Sequence, residues 1–179
     1  MPALWEHASA SLEQSLVSIT FSLTPSTTLT MNKQTTTNAV ILRQRYEFSA
    51  SHRLHTDSLD AETNRRVFGK CNNPNGHGHN YRVEPAIMLT VGDHLQPSSI
   101  DSIVEQTIIN QLDHKHLNKD CPAFDQSRGG MMPSVENIAR FCFDELSTQI
   151  STLNTNAELI EVTVWETDRT SCTYPAHKI

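Results

Sequence analysis

Phe68-Gly69-Lys70-Cys71-Asn72-Asn73-Pro74-Asn75-Gly76-His77-Gly78-His79-Asn80-Tyr81 holds the densest chemistry in the chain. A strand is expected to begin at the histidine pair and to run toward Leu89. On an extended strand alternate side chains share a face, so His77 and His79 present two imidazoles to one ion, while Gly78 leaves room for close approach. Cys71 adds a candidate nucleophile or base beside them.

Upstream, residues from Val40 to His52 alternate as a strand, with Leu42, Tyr46, Phe48 and Ala50 on one face and Arg43 and Arg45 on the other. His52 ends the apolar face and can meet the pair from a neighbouring strand as a third ligand. Three histidines without a fourth protein ligand leave a zinc position open, the pattern of a catalytic site. The chain has nine histidines, and one alone is more often a surface or hydrogen-bonded residue than a ligand. Cysteine, glycines and the histidine pair together are far more specific.

Downstream, Asp60 to Val67 fits a helical turn. Pro97-Ser98-Ser99 signals a helix start, followed by Ile100, Ile103, Val104, Thr107, Ile108 and Leu112 at helical spacing. A second helix is expected from Ser134, with Val135, Ile138, Ala139, Cys142, Leu146 and Ile150 as its apolar stripe. Cys142 is therefore a packed residue. Leu159 to Thr167 alternate again, and a short last strand follows Arg169. This order predicts an α+β fold, a four-stranded antiparallel sheet with two helices on one face.

Three further groups stand at places that suit chemistry. Asp113-His114 ends the first helix, where a carboxylate can fix an imidazole tautomer, although solvation and the helix dipole also account for such a pair. His116 reads as surface. Glu166 shares strand parity with Ile160, Val162 and Val164, so a charge ends an apolar stripe; this is costly unless paired, and a strand-end glutamate in solvent is the plain alternative. Ser134 reads as a helix cap, with Glu136 in the first turn.

Composition narrows the class. Fourteen basic against twenty acidic residues give a net charge of −6 over 179 residues, which disfavours a nucleic-acid surface built on bulk positive charge. A phosphorylated substrate would need local basic groups. No apolar run approaches a membrane span. Four dispersed cysteines without a C-x-x-C pair fit reduced thiols and a cytoplasmic location. Residues 1–38 are expected to be a poorly ordered extension, because Ser15 to Thr37 is rich in serine and threonine with one charge, Lys33. Glu6, Glu13 and the lack of arginine speak against a transit peptide. If translation begins at Met31, all the motifs are retained. The domain proper is then 39–179.

FSASHRL, FGKCNNPNGHGHNY, LDHKHLN, PSVENIA and VWETD, in this order, resemble the 6-pyruvoyltetrahydropterin synthase family from about Tyr46 to Asp168. The five residues between Cys71 and His77 resemble its pyruvoyl-forming branch more than the 6-carboxytetrahydropterin synthases of queuosine biosynthesis. The resemblance implies the tunnelling fold, hexamers built from two trimers, and active sites between subunits. It implies a pterin triphosphate substrate, 7,8-dihydroneopterin triphosphate, converted to 6-pyruvoyl-5,6,7,8-tetrahydropterin with loss of triphosphate. It further implies Zn2+ on His52, His77 and His79, a catalytic triad of Cys71, Asp113 and His114, and a pterin pocket holding Glu166 with Ser134 and Glu136 nearby. A carboxylate grips the two-donor edge of a pterin bidentately, which suits Glu166.

One departure is visible. After Tyr81 the family continues into a long hairpin with a Gly-hydrophobic-hydrophobic-Asp return strand, whereas Val83-Glu84-Pro85 is expected to interrupt the strand here and Val91 to Ser99 lacks that pattern. Two other functions fit the motifs: the 6-carboxy reaction on the same substrate, and a metal-binding module without catalysis.

Overall fold

The computed structural model describes residues 2–12, 16–32, 35, 38–90, 92, 96–153 and 155–176. In chain order its elements are α1 (Pro2–Ser11), β1 (Ser18–Thr24), β2 (Thr27–Asn32), β3 (Ala39–Gln44), β4 (Tyr46–His52), α2 (Ala61–Phe68), β5 (His77–Thr90), α3 (Pro97–Val104), α4 (Asn110–Leu112), β6 (Lys115–His116), α5 (Leu117–Asp120), α6 (Val135–Ser151), β7 (Glu158–Thr167) and β8 (Thr170–Tyr174). A π turn at Glu105–Ile109 joins α3 to α4.

β5 organises the sheet. One of its edges pairs with β4 from Val83 to His77 and with β3 from Ala86 to Thr90, and the other pairs with β7, which carries β8. The expected four-stranded antiparallel core is present, its first strand divided at Arg45 into β3 and β4. Among the described residues the sheet has eight strands, not four. The additions are the β1–β2 hairpin on the outer edge of β3 and the two-residue β6, parallel to β4.

The β1–β2 hairpin falls within the extension expected to be poorly ordered. Its described part is paired backbone, and Leu29 and Met31 stand opposite Leu42 and Ile19. Threonine is a strand former, so a Thr-rich run with alternating Ile19, Phe21 and Leu23 suits an edge. Met31 is 1% exposed and Leu29 packs on the core. A chain begun at Met31 would lose Thr27 to Thr30, the four residues that pair with Ile41 to Gln44. Ser15, Lys33, residues 36–37 and Glu13 lie outside the described residues, as do Val91 and 93–95 from the expected return-strand region.

Pro85 does not interrupt β5, which runs unbroken through it. It falls in the gap where pairing passes from β4, ending at Val83, to β3, starting at Ala86. A proline is tolerated where the ladder on one side is already broken.

The helices cover one face. Ile100, Val104, Ile108 and Leu112 from α3, the π turn and α4 meet Val135, Ile138, Ala139, Cys142 and Leu146 of α6 in one core with Phe48, Tyr81, Val83, Val162 and Val164 of the sheet. A register shift opposite Ala86 and Ile87 alters the face of β7, so Leu159, not Ile160, lies in the core with Val162 and Val164. The buried Glu161 beside that shift pairs with Arg43 at 2.7 Å.

Candidate active site and metal centre

The β4–β5 register fixes the first part of the site. His52 stands opposite His77, and Ala50 opposite His79, so all three imidazoles share the helix-covered face at one end of the sheet. Gly76 makes this possible. It has φ +73°, and a Cβ there would lie 2.9 Å from the His52 carbonyl oxygen. Gly78, expected to be the tight position, meets only ordinary contact at 3.5 Å.

His52 is completely buried. Its Nδ1 lies 2.7 Å from the carbonyl oxygen of Pro133, an acceptor only, so Nδ1 carries the hydrogen and Nε2 faces the other imidazoles. That Nε2 is 3.1 Å from His77 Nε2 and 3.2 Å from Glu166 Oε1, and His79 Nε2 is 3.6 Å from the same oxygen. One donor atom from each of the four residues lies within 4.8 Å of the others.

These atoms fit a cation. Tetrahedral zinc with Zn–N bonds of about 2.0 Å separates neighbouring donors by roughly 3.3 Å. Lone pairs this close repel unless a proton or an ion lies among them. His79 Nε2 and His77 Nδ1 are buried and have no hydrogen-bond partner among the described residues. Burial first, then the neighbouring imidazoles, pulls the His77 pKa down; burial does the same to His79 against the opposing pull of Glu166. Both directions favour the neutral, ligating imidazole. The His52 imidazole beside it, then those of His79 and His77, hold the Glu166 carboxyl below the usual range, keeping it anionic.

Glu166 is thus inside the cluster, a position that strand parity alone did not reveal. Cys71 is not one of the four. It sits half-buried in a 3-10 turn, Gly69–Asn72, and burial, then the charge of Glu166, push its thiol up.

Asp113 and His114 form the expected pair, and they open elsewhere. Asp113 Oδ1 accepts from the Ser49 N–H at 2.7 Å, and Oδ2 lies 2.7 Å from His114 Nδ1. His114 has φ +57°, and its side chain is 83% exposed. It lines a cavity of about 620 Å³ with Ser49, Ser51, Gly78 and Asn80, which alternate with the cluster-facing positions of β4 and β5, and with Ala50, His79 and His116. The structure therefore brings the three histidines expected as ligands together with Glu166, and leaves the exposed His114 ring on the other side of the sheet.

A family model described as 6-pyruvoyl tetrahydropterin synthase matches residues 41–177. The chain belongs to this family. A 6-pyruvoyl tetrahydrobiopterin synthase of Homo sapiens is 37% identical over 139 residues, spanning 73% of this chain and 88% of that one. The 6-carboxy-5,6,7,8-tetrahydropterin synthase of Bacillus subtilis is 26% identical over 136 residues, spanning 74% and 88%. The solved 6-pyruvoyl tetrahydropterin synthase of Caenorhabditis elegans superposes with a TM-score of 0.68 at 31% identity, covering 78% of this chain and 96% of that one. The fold is accordingly the tunnelling fold of the pterin synthases.

Within this pterin synthase scaffold the remaining candidates fall as follows. Ser134 caps α6, its hydroxyl accepting from the Asn137 N–H at 3.5 Å. Glu136 is exposed beside Cys172, whose thiol it helps to raise, and is not part of the lining of the 620 Å³ cavity. His116, expected at the surface, is half-buried: both its ring nitrogens are buried without a partner among the described residues, and its Nε2 would lie 3.0 Å from a Cβ on Gly76. The Pro133 carbonyl was not foreseeable, since every residue carries one. Among the described residues no helix is long and apolar enough to cross a membrane.

Proposed function

We propose that the protein is a zinc-dependent lyase that converts 7,8-dihydroneopterin triphosphate to 6-pyruvoyl-5,6,7,8-tetrahydropterin and releases triphosphate, a step of tetrahydrobiopterin biosynthesis in the cytoplasm. The observation that carries this reading is the cluster of His52, His77, His79 and Glu166 beside Cys71, within a chain of this family. The higher identity to a pyruvoyl-forming relative than to the 6-carboxy one supports the choice of product.

His52, His77 and His79 would hold zinc, which when bound acts as a Lewis acid on the substrate side-chain hydroxyls and acidifies the adjacent C–H bonds. Cys71 takes the side-chain proton as general base. Burial and the charge of Glu166 raise the Cys71 thiol pKa, and a dication held by the histidines would oppose that charge. Glu166 accepts from the N3–H and 2-amino group of the pterin, its anionic form being the one that grips two donors. Ser134 and Glu136 border the pterin from the start of α6.

His114 donates and accepts protons at Nε2, with Asp113 holding Nδ1–H. Because its exposed ring and the histidine cluster of the same chain face opposite sides of the sheet, His114 serves the site of a neighbouring subunit. A homohexamer formed as a dimer of trimers, with active sites between subunits, meets this requirement. The catalytic unit is 39–179, and residues 1–38 are an addition whose hairpin closes the β3 edge.

Purified protein given zinc and dihydroneopterin triphosphate tests the reading by product mass. The pyruvoyl product with free triphosphate is expected. Acetaldehyde with the 6-carboxy product would assign the queuosine-pathway reaction instead, and no turnover would leave a metal-binding module.

A further inference from the structure

Next to the histidine cluster lies a second cavity, of about 840 Å³, lined by Arg53, His55, Arg65, Lys70, Asn73 and His77 among others, and by no aspartate or glutamate. Three separate segments supply the charges: the chain just after β4, the last turn of α2, and the turn that also carries Cys71. Arg53 Nε donates to the Asn72 carbonyl at 3.2 Å, which holds its guanidinium against the wall. Arg65 and Lys70 are exposed, and none of the three cations forms an ion pair among the described residues. Asp60, at the far end of α2, feels Arg65 as the smallest of its influences, and the exposed Asp57 engages His55 at 3.4 Å.

The dipole of α2 favours a cation at Arg65 but explains neither Arg53 nor Lys70, which lie outside the helix. Convergent unpaired cations repel one another, and in a chain of net charge −6 their collection around one cavity calls for an anion. His77 belongs both to this wall and to the metal cluster, and Lys70 directly precedes Cys71. An anion bound here is therefore contiguous with a group reacting at the metal.

We propose that Arg53, Arg65 and Lys70 form the binding site for the polyphosphate arm of the substrate, an organic triphosphate ester. This rests on the substrate reading above. The ring would lie on the Glu166 side of the metal cluster and the phosphates on the Lys70 side, so that the side chain between them spans the histidines. Arg53 provides the fixed guanidinium; Arg65 and Lys70 close over the arm from the exposed side.

Inorganic triphosphate is the direct probe, titrated calorimetrically into the zinc-loaded protein with metal content measured before and after. Arg65→Gln and Lys70→Gln, both at exposed positions, should each weaken binding by about tenfold, the scale of a charged hydrogen bond. The double variant should lose more, while Arg140→Gln, on the exposed side of α6, should bind as the parent does. In turnover the double variant should raise KM for dihydroneopterin triphosphate much more than it lowers kcat, with unchanged affinity for dihydroneopterin lacking phosphates. Failure of the parent protein to bind inorganic triphosphate, or equal binding by the double variant, overturns the site. Normal turnover with an unchanged KM in the double variant discards this site and keeps the proposed reaction. Charge-dependent triphosphate binding without turnover keeps the site and discards the reaction.

Discussion

His52 Nδ1 and the carbonyl oxygen of Pro133, 81 positions apart in the chain, lie 2.7 Å from each other. This bond sets the tautomer of the most deeply buried imidazole and joins the start of α6 to the end of β4. Because the acceptor is backbone, the orientation of His52 depends on the path of the chain before α6, whatever side chain stands at 133. A carbonyl partner of this kind also raises the basicity of the other ring nitrogen, Nε2.

His77→Ala and His79→Ala should each release the metal and abolish turnover, since the remaining imidazoles do not complete the donor set. Elemental analysis after dialysis checks this. Full metal content with full activity in either variant would refute the assignment.

Cys71→Ala should keep the metal, because the thiol is not among the four clustered groups, and lose about a hundredfold to ten-thousandfold in kcat as a general base does. The metal-free protein adds a pH test. Burial and the Glu166 charge raise the thiol pKa, so alkylation at Cys71 should be slow near neutrality and quicken as pH rises. Glu166→Gln removes a negative charge, lowers that pKa and should speed alkylation at any fixed pH below it. No change in rate would show that the two groups are not coupled.

Glu166→Gln should weaken pterin binding by at least about tenfold, as a charged acceptor is replaced by an amide that turns a donor toward donors. The three imidazoles should retain the metal. Loss of metal together with substrate would make Glu166 a fourth ligand, a role its 3.2 Å distance from His52 Nε2 allows. Asp168→Asn is the control: Asp168 is exposed and paired with Arg82, and its loss should leave pterin binding intact.

Removal of residues 1–38 should destabilise the fold by about 3 kcal/mol, the scale of losing the buried Met31 side chain together with the partly buried Leu29. It would also expose the edge of β3, where unpaired backbone invites association. Urea denaturation and light scattering of the shortened protein check both effects. Equal stability would mean that the hairpin is only an attachment.

Local pattern carried much of this protein. The period-two alternation that ends at His52 and the His77-Gly78-His79 spacing placed three imidazoles on one face, because adjacent strands leave little freedom in which side chains can meet. The stripe of α6 and the Asp113-His114 pair were legible for the same reason, being set by neighbours a few residues away. Poor order was expected of Ser15 to Thr37 because serine and threonine serve unstructured segments and edge strands alike; the Ile19, Phe21 and Leu23 alternation was the usable signal for the hairpin. What tertiary structure alone decided came from long-range register and chain path. A shift beside Ala86 changed which residues of β7 face inward, and the pairing of Arg82 with Trp165 brought the next residue, Glu166, to the imidazoles. The left-handed turn at His114 carried that imidazole to the opposite face, and Arg53, Arg65 and Lys70 came together from three segments around one cavity. None of these follows from spacing, because each depends on where distant backbone lies, and the packing of the whole core sets that.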